Sequence, residues 1–78
     1  MTRYFFDLQN GDGQTLDEQG MELASREAVM QEVTRILVDI ARDELPDGIG
    51  TKISVSVRTD IGEPVSVSTL TFQNLWLE

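Results

Sequence analysis

One apolar stripe in the middle of the chain limits the possible folds more than any other feature. Its side chains recur at steps of three and four residues, which is the spacing of one face of an α-helix. The pattern predicts a single amphipathic helix over Arg26–Glu44, with Ser25 as its N-cap and Glu27 in the first turn, where the helix dipole favours an anion. The stripe consists of Val29, Val33, Ile36, Leu37, Ile40 and Ala41, of which Val33, Ile36, Leu37 and Ile40 are expected to form the centre of the core.

Two strands are predicted before this helix. Arg3–Leu8 is rich in aromatic residues, which favour strands. After a glycine-rich turn, a short return strand is expected over Gln14–Asp17, with Leu16 pointing inward. A second turn at Asp17–Gly20 then leads through Met21–Leu23 into the helix.

Two more strands are predicted after the helix. Pro46 is expected to end the helix, and Asp47–Gly50 has the composition of a loop. Lys52–Arg58 alternates strictly between apolar and polar side chains, which is the pattern of a strand with one buried face. Asp60–Glu63 is typical of a hairpin loop, and Pro64 opens the last strand.

The last strand carries apolar residues of both parities. Val65 and Val67 share one parity, whereas Leu70 and Phe72 share the other. A strand that turns all four towards the core needs one extra residue between them. We therefore expect a β-bulge at Ser68–Thr69.

These elements predict an α+β fold for a single small domain over residues 1–78. The order ββαββ favours a mostly antiparallel four-stranded sheet with one amphipathic helix on one face. One helix cannot cover both faces of such a sheet. The uncovered face is expected to carry Arg3, Phe5, Asp7, Ser54, Ser56, Arg58, Ser66 and Thr71.

The composition removes most kinds of active site. The chain has no His and no Cys, so it cannot form a Ser-His or Cys-His pair, a Cys/His zinc site, a haem ligand or a redox dithiol. We therefore expect no catalytic residues, no cofactor-binding residues, no metal ligands and no enzymatic activity. The glycine-rich segment Asn10–Gly13 resembles a calcium loop, but Leu8 and Gln19 would then occupy the two strongest ligand positions. Turn formation is the better interpretation.

The charge narrows the choice of partners. Fourteen acidic residues against six basic ones give a net charge of -8, which works against nucleic acids and anionic membranes. No stretch approaches the ~20 apolar residues of a membrane span, and no signal-like segment opens the chain. A cytoplasmic location is therefore expected.

The best candidates for binding are residues of an interface between proteins. Arg3, Phe5 and Arg58 are expected on the uncovered face, and Leu75 and Trp76 form an apolar tail. Trp and Arg are enriched at interface centres, and a domain of this size gains stability from pairing. These five residues predict a homodimer. Two alternatives remain open: the tail caps the core of its own chain, or the face stacks RNA bases on Phe5.

Three segments together resemble a known family. They are the opening Arg3-Tyr4-Phe5-Phe6-Asp7, the middle Asp17–Leu23 leading to Glu27-Ala28, and the helix end Ala41-Arg42-Asp43-Glu44-Leu45-Pro46-Asp47-Gly48. The combination is similar to very short alphaproteobacterial proteins of unknown function. That resemblance implies no activity, cofactor or site residue. The strand-turn-strand-helix front is also similar to small antitoxin domains of the HicB type, although it lacks their glycine-rich segment before the helix. That likeness implies an acidic binder of a small basic protein.

Overall fold

The computed structural model describes residues 1–11, 13–44 and 52–78, with only the backbone described at Glu44. The predicted α+β class is confirmed, and the helix has the predicted bounds. The predicted stop at Pro46 and the loop Asp47–Gly50 lie outside the described residues, as does Asp12 in the first turn. The elements in chain order are β1 Thr2–Asn10, β2 Gly13–Thr15, β3 Met21–Leu23, α1 Arg26–Glu44, β4 Lys52–Thr59 and β5 Pro64–Thr71.

The strands form one antiparallel sheet in the order β2-β1-β4-β5. The four predicted strands are present, but a fifth, β3, was not expected. It pairs with the first residues of β1, opposite Thr2–Tyr4, on the same edge that β2 occupies further along. Met21–Leu23 is too short to display the alternation by which a sequence reveals a strand. One edge of the sheet is therefore made of two three-residue strands with a loop between them.

The helix begins as predicted and packs on the sheet through its first turns. Ser25 Oγ accepts the backbone N–H of Ala28 at 3.1 Å, which is the hydrogen bond of an N-cap. The core centre lies nearer to the N-terminus than expected, because Ile36, Leu37 and Ile40 are only half-buried. A helical stripe shows which face is buried but not which turns lie over the sheet. The buried apolar residues are Val29, Val33, Ile53, Val55 and Val57.

Two valines of α1 provide a matched test of this core. Val33 is 1% exposed, and Val38, one and a half turns further along, is 44% exposed. Val33→Ala should lower the free energy of unfolding by about 2 kcal/mol, from lost apolar burial and the cavity left behind. Val38→Ala should change it by less than about 0.5 kcal/mol. Urea unfolding measures both values, and equal losses would contradict the assignment.

The predicted β-bulge at Ser68–Thr69 is wrong. Pairing is regular there, and the irregularity lies between Val57 and Arg58 of β4, where Val65 is the extra residue of β5. Pro64 has no N–H to donate, so the ladder tolerates a shift beside it. Ser66 consequently pairs with Val57 and lies on the helix face, which corrects its predicted place on the uncovered face.

The predicted inward position of Leu16 is also wrong. β2 ends at Thr15, one residue before Leu16, and the Leu16 side chain is 58% exposed. It lines a wide cleft of about 530 Å³ between this loop and α1, whose floor includes Phe6 and Ile36. The chain leaves the ladder early because the next residue, Asp17, turns back to bind the edge of β1.

Candidate functional site

The first edge of the sheet is closed by a side chain as well as by strands. Alternate residues of β1 turn their backbone groups towards this edge, and β2 and β3 pair with those on either side of Phe6. Phe6 falls in the gap. Its N–H donates instead to Asp17 Oδ2 at 3.1 Å, so this carboxylate replaces the missing strand.

The same carboxylate closes the turn that follows. Asp17 Oδ1 accepts the backbone N–H groups of Gln19 and Gly20, each at 3.1 Å. Gly20 has a φ of 72° and lies against β1, where a Cβ atom would come within 2.9 Å of the Phe5 ring and 3.0 Å of the Tyr4 carbonyl oxygen. The predicted turn at Asp17–Gly20 is confirmed, and glycine is required at its last position.

An acid–arginine cluster, made of Asp7, Asp17 and Arg58, joins this loop to the centre of the sheet. Arg58 Nε donates to Asp7 Oδ2 at 2.8 Å, and its Nη2 donates to the Asp17 carbonyl oxygen at 2.9 Å. The backbone N–H of Asp17 donates to Asp7 Oδ1 at 2.9 Å. Asp7 is only 8% exposed, so the cluster ties β1, β4 and the loop together through a largely buried charge.

The cluster keeps both of its carboxyl groups ionised. Burial tends to raise the pKa of Asp7, but hydrogen bonds from Arg58 and the Asp17 N–H outweigh it and lower the pKa below its usual value. Burial acts in the same way on Asp17, and the backbone N–H groups of Phe6, Gly20 and Gln19 bring its pKa down. Neither group is placed to hold a proton at neutral pH, as a general acid must. The cluster therefore binds the loop to β1 and β4 with both of its carboxyl groups ionised.

These lowered pKa values predict acid sensitivity. A carboxyl group with a lower pKa in the folded state stabilises the fold above its unfolded pKa of about 3.9, and this contribution is lost as the pH falls through the folded pKa. The free energy of unfolding should therefore fall below about pH 4. Arg58→Gln removes the main charged partner of Asp7. The free energy of unfolding of this variant should therefore fall less steeply with decreasing pH than that of the native protein. Parallel curves for the two proteins would contradict this.

The structure brings three of the five predicted interface residues together. The Arg58 guanidinium lies over the Phe5 ring at 4.7 Å from its centroid, and Arg3 donates to the nearby Gln19 carbonyl oxygen at 2.7 Å. Leu75 and Trp76 lie beyond the end of β5, which is at the end of the sheet opposite to Arg58. Trp76 is 77% exposed, so it does not cap the core of its own chain here.

The role of the acid–arginine cluster was missed in the sequence. Asp7 was expected on the uncovered face, where it does lie, and Asp17 was expected in a turn. A carboxylate inside an aromatic strand was the available signal, because such a group requires a cation or several donors nearby. Arg58 lies 51 residues away along the chain, and local patterns do not report contacts of that range.

The second edge of the sheet, the outer side of β5, is different. Thr59 donates its backbone N–H to the Glu63 carbonyl oxygen at 2.9 Å. In an antiparallel sheet, every second residue of a strand directs its N–H and C=O groups to the same neighbour, so the backbone groups of Val57, like those of Thr59, face β5. With Val57 opposite Ser66, the backbone groups of Val67 and Thr69 point outward. No strand among residues 1–11, 13–44 and 52–78 pairs with this side. We call it the open edge.

Within the described residues, no group of three or more Asp or Glu side chains is placed to hold a metal ion. The same part of the chain contains no helix with the length and apolar character needed to cross a membrane.

Comparison with known proteins places the chain in a family but gives it no activity. No curated protein and no solved structure matches the chain significantly. One family profile matches residues 3–71, and its description is a domain of unknown function. This confirms the expected kinship with an uncharacterised family, whereas the alphaproteobacterial origin stays a prediction. The match includes both edges of the sheet and the acid–arginine cluster, and the chain belongs to the family of unknown function DUF6894.

Proposed function

We propose that this chain is a non-enzymatic, cytosolic protein-interaction module that forms a homodimer through the open edge of β5. The contrast between the two edges of the sheet is the observation that carries the proposal. At the first edge, two three-residue strands and the Asp17 side chain bind the outward backbone groups of β1. That edge therefore offers no continuous strand to which another chain could pair. The open edge is a continuous strand of eight residues.

Natural proteins protect exposed edge strands with charges, short length or irregular geometry. β5 has a proline and a bulge at its start, but Pro64–Thr71 contains no charged residue, although 26% of the chain is charged. Val67 on this strand is 69% exposed. Such a strand is a template for antiparallel pairing, and a second copy offers the same strand under two-fold symmetry.

The size of the core supports self-association. Five buried apolar side chains, four of them valines, are found in the described part of the chain. No disulfide can add to them, because the sequence has no Cys. Joining two sheets edge to edge satisfies the outward backbone groups and gives the exposed Val67 side chain a cross-strand neighbour from the other copy. A dimer is thus a direct way for so small a domain to gain stability.

The absence of His and Cys supports a non-enzymatic role. The carboxylates of the acid–arginine cluster accept hydrogen bonds from Arg58 and from backbone N–H groups, which supports a role for them in holding the fold together. The negative charge supports binding to protein rather than to nucleic acid.

Sedimentation equilibrium tests the proposal. The native protein should be a dimer at micromolar concentration. Val67→Lys places a charge beside the open edge and should give a folded monomer. Gln9→Lys adds the same charge to the uncovered face, away from β5, and should remain dimeric.

A native protein that stays monomeric at high concentration would contradict the homodimer. Capture of a small basic protein by such a monomer would favour the HicB-like alternative instead. Unchanged dimerisation of Val67→Lys would show that the copies pair through another surface.

A further inference from the structure

We propose that, in this dimer, the apolar tail of each copy crosses onto the uncovered face of the other copy and stacks Trp76 on the exposed side of Arg58. The inference rests on the proposed homodimer and assigns the tail a specific docking site. It joins the two groups of predicted interface residues, which lie apart in a single chain.

The tail has the character of a binding segment. Leu75, Trp76 and Leu77 are 80%, 77% and 88% exposed, and Trp76 is the single Trp of the chain. Three consecutive large apolar side chains in water are costly, because their apolar area stays hydrated. A surface on another molecule would remove this cost.

Strand direction prevents easy docking within one chain. β5 starts beside Arg58 and ends with Thr71 beside Lys52. Lys52 and Arg58 are six residues apart on β4, or about 20 Å. Trp76 is five residues beyond Thr71, a reach of at most about 17 Å. To approach its own Arg58, the tail would have to reverse direction at once and run back fully extended.

Two-fold pairing removes this difficulty. When two β5 strands run antiparallel about an axis near their middle, Thr71 of one copy lies beside the Pro64 end of the other. Pro64 pairs with Arg58 in its own chain. Arg58 of the other copy is then about two strand spacings, or roughly 10 Å, from the start of the tail. Five residues of tail span that distance in any register that pairs most of β5.

Arg58 is prepared to receive an aromatic ring. One side of its guanidinium lies over Phe5 at 4.7 Å from the ring centroid, and its side chain is still 32% exposed. Trp is the best aromatic partner for such a cation.

The test combines sedimentation with fluorescence of Trp76. As concentration rises, Trp76 emission should shift to the blue and quenching by acrylamide should fall at least about twofold, over the same range in which the dimer forms. Val67→Lys should keep Trp76 exposed at all concentrations, with circular dichroism showing that it remains folded. Trp76→Ala should weaken dimerisation about tenfold.

Three results would overturn the inference. A dimer in which Trp76 stays fully quenchable would exclude tail docking but leave the homodimer intact. Emission that is shifted at every concentration, and also in Val67→Lys, would show that the tail covers its own chain. A native protein that never dimerises would remove both the docking and the proposed function.

Discussion

Replacing Gly20 by Ala is expected to lower the free energy of unfolding by about 3 kcal/mol. Two costs add at this position. The backbone has a φ of 72°, which costs an L-residue about 1–2 kcal/mol. The new methyl group would also lie 2.9 Å from the Phe5 ring and 3.0 Å from the Tyr4 carbonyl oxygen, and such overpacking typically costs about 1–3 kcal/mol.

Gly62 provides the matched control. Its φ is 82°, but no atom lies within 4 Å of the place where a Cβ would be. Gly62→Ala should therefore show the backbone cost alone, about 1 kcal/mol. Urea unfolding of the two variants separates strain from contact. Equal losses would mean that the loop moves away from β1 and that the close approach of Gly20 is not required.

Replacing Asp7 by Ala should cost about 2–3 kcal/mol. The change removes the acceptor of Arg58 Nε and of the Asp17 N–H, which donate at 2.8 and 2.9 Å. Removing one member of a buried ion pair costs about 3–5 kcal/mol, but here the guanidinium is partly exposed and water can replace some of the loss. The cost should lie below that range.

Asp7→Asn separates charge from shape. Either orientation of the amide turns its N–H₂ group towards another donor, Arg58 or the Asp17 N–H. The Asn variant should therefore be destabilised about as much as the Ala variant in urea unfolding. A variant close to the native protein would contradict a role for the ionised carboxylate.

Local periodicity was enough to predict the helix and four strands. The helix bounds and the N-cap at Ser25 were predicted correctly because both depend on residues that are close together in the sequence. β3 was missed because three residues carry no visible period. The bulge was misplaced because the prediction assumed that Val65, Val67, Leu70 and Phe72 all face the core. Val67 instead lies on the uncovered face of the sheet.

The candidate site was predicted less completely than the fold. Arg3, Phe5 and Arg58 were placed on one face by alternation, and the structure agrees. The acid–arginine cluster depends on a contact between residues 51 apart, which no local pattern encodes. The open edge depends on strand order, and the predicted list of strands left that order undetermined.

Amide hydrogen exchange along β5 tests the central claim most directly. The N–H groups of Ser66 and Ser68 face β4 and should be protected in any folded state. Those of Val67 and Thr69 face outward, so they should be protected in the native protein only if the open edge is paired. In the Val67→Lys monomer, the N–H of Thr69 should exchange freely. If Val67 and Thr69 exchange rapidly in the native protein at concentrations where it is a dimer, while Ser66 and Ser68 stay protected, the open edge does not form the interface.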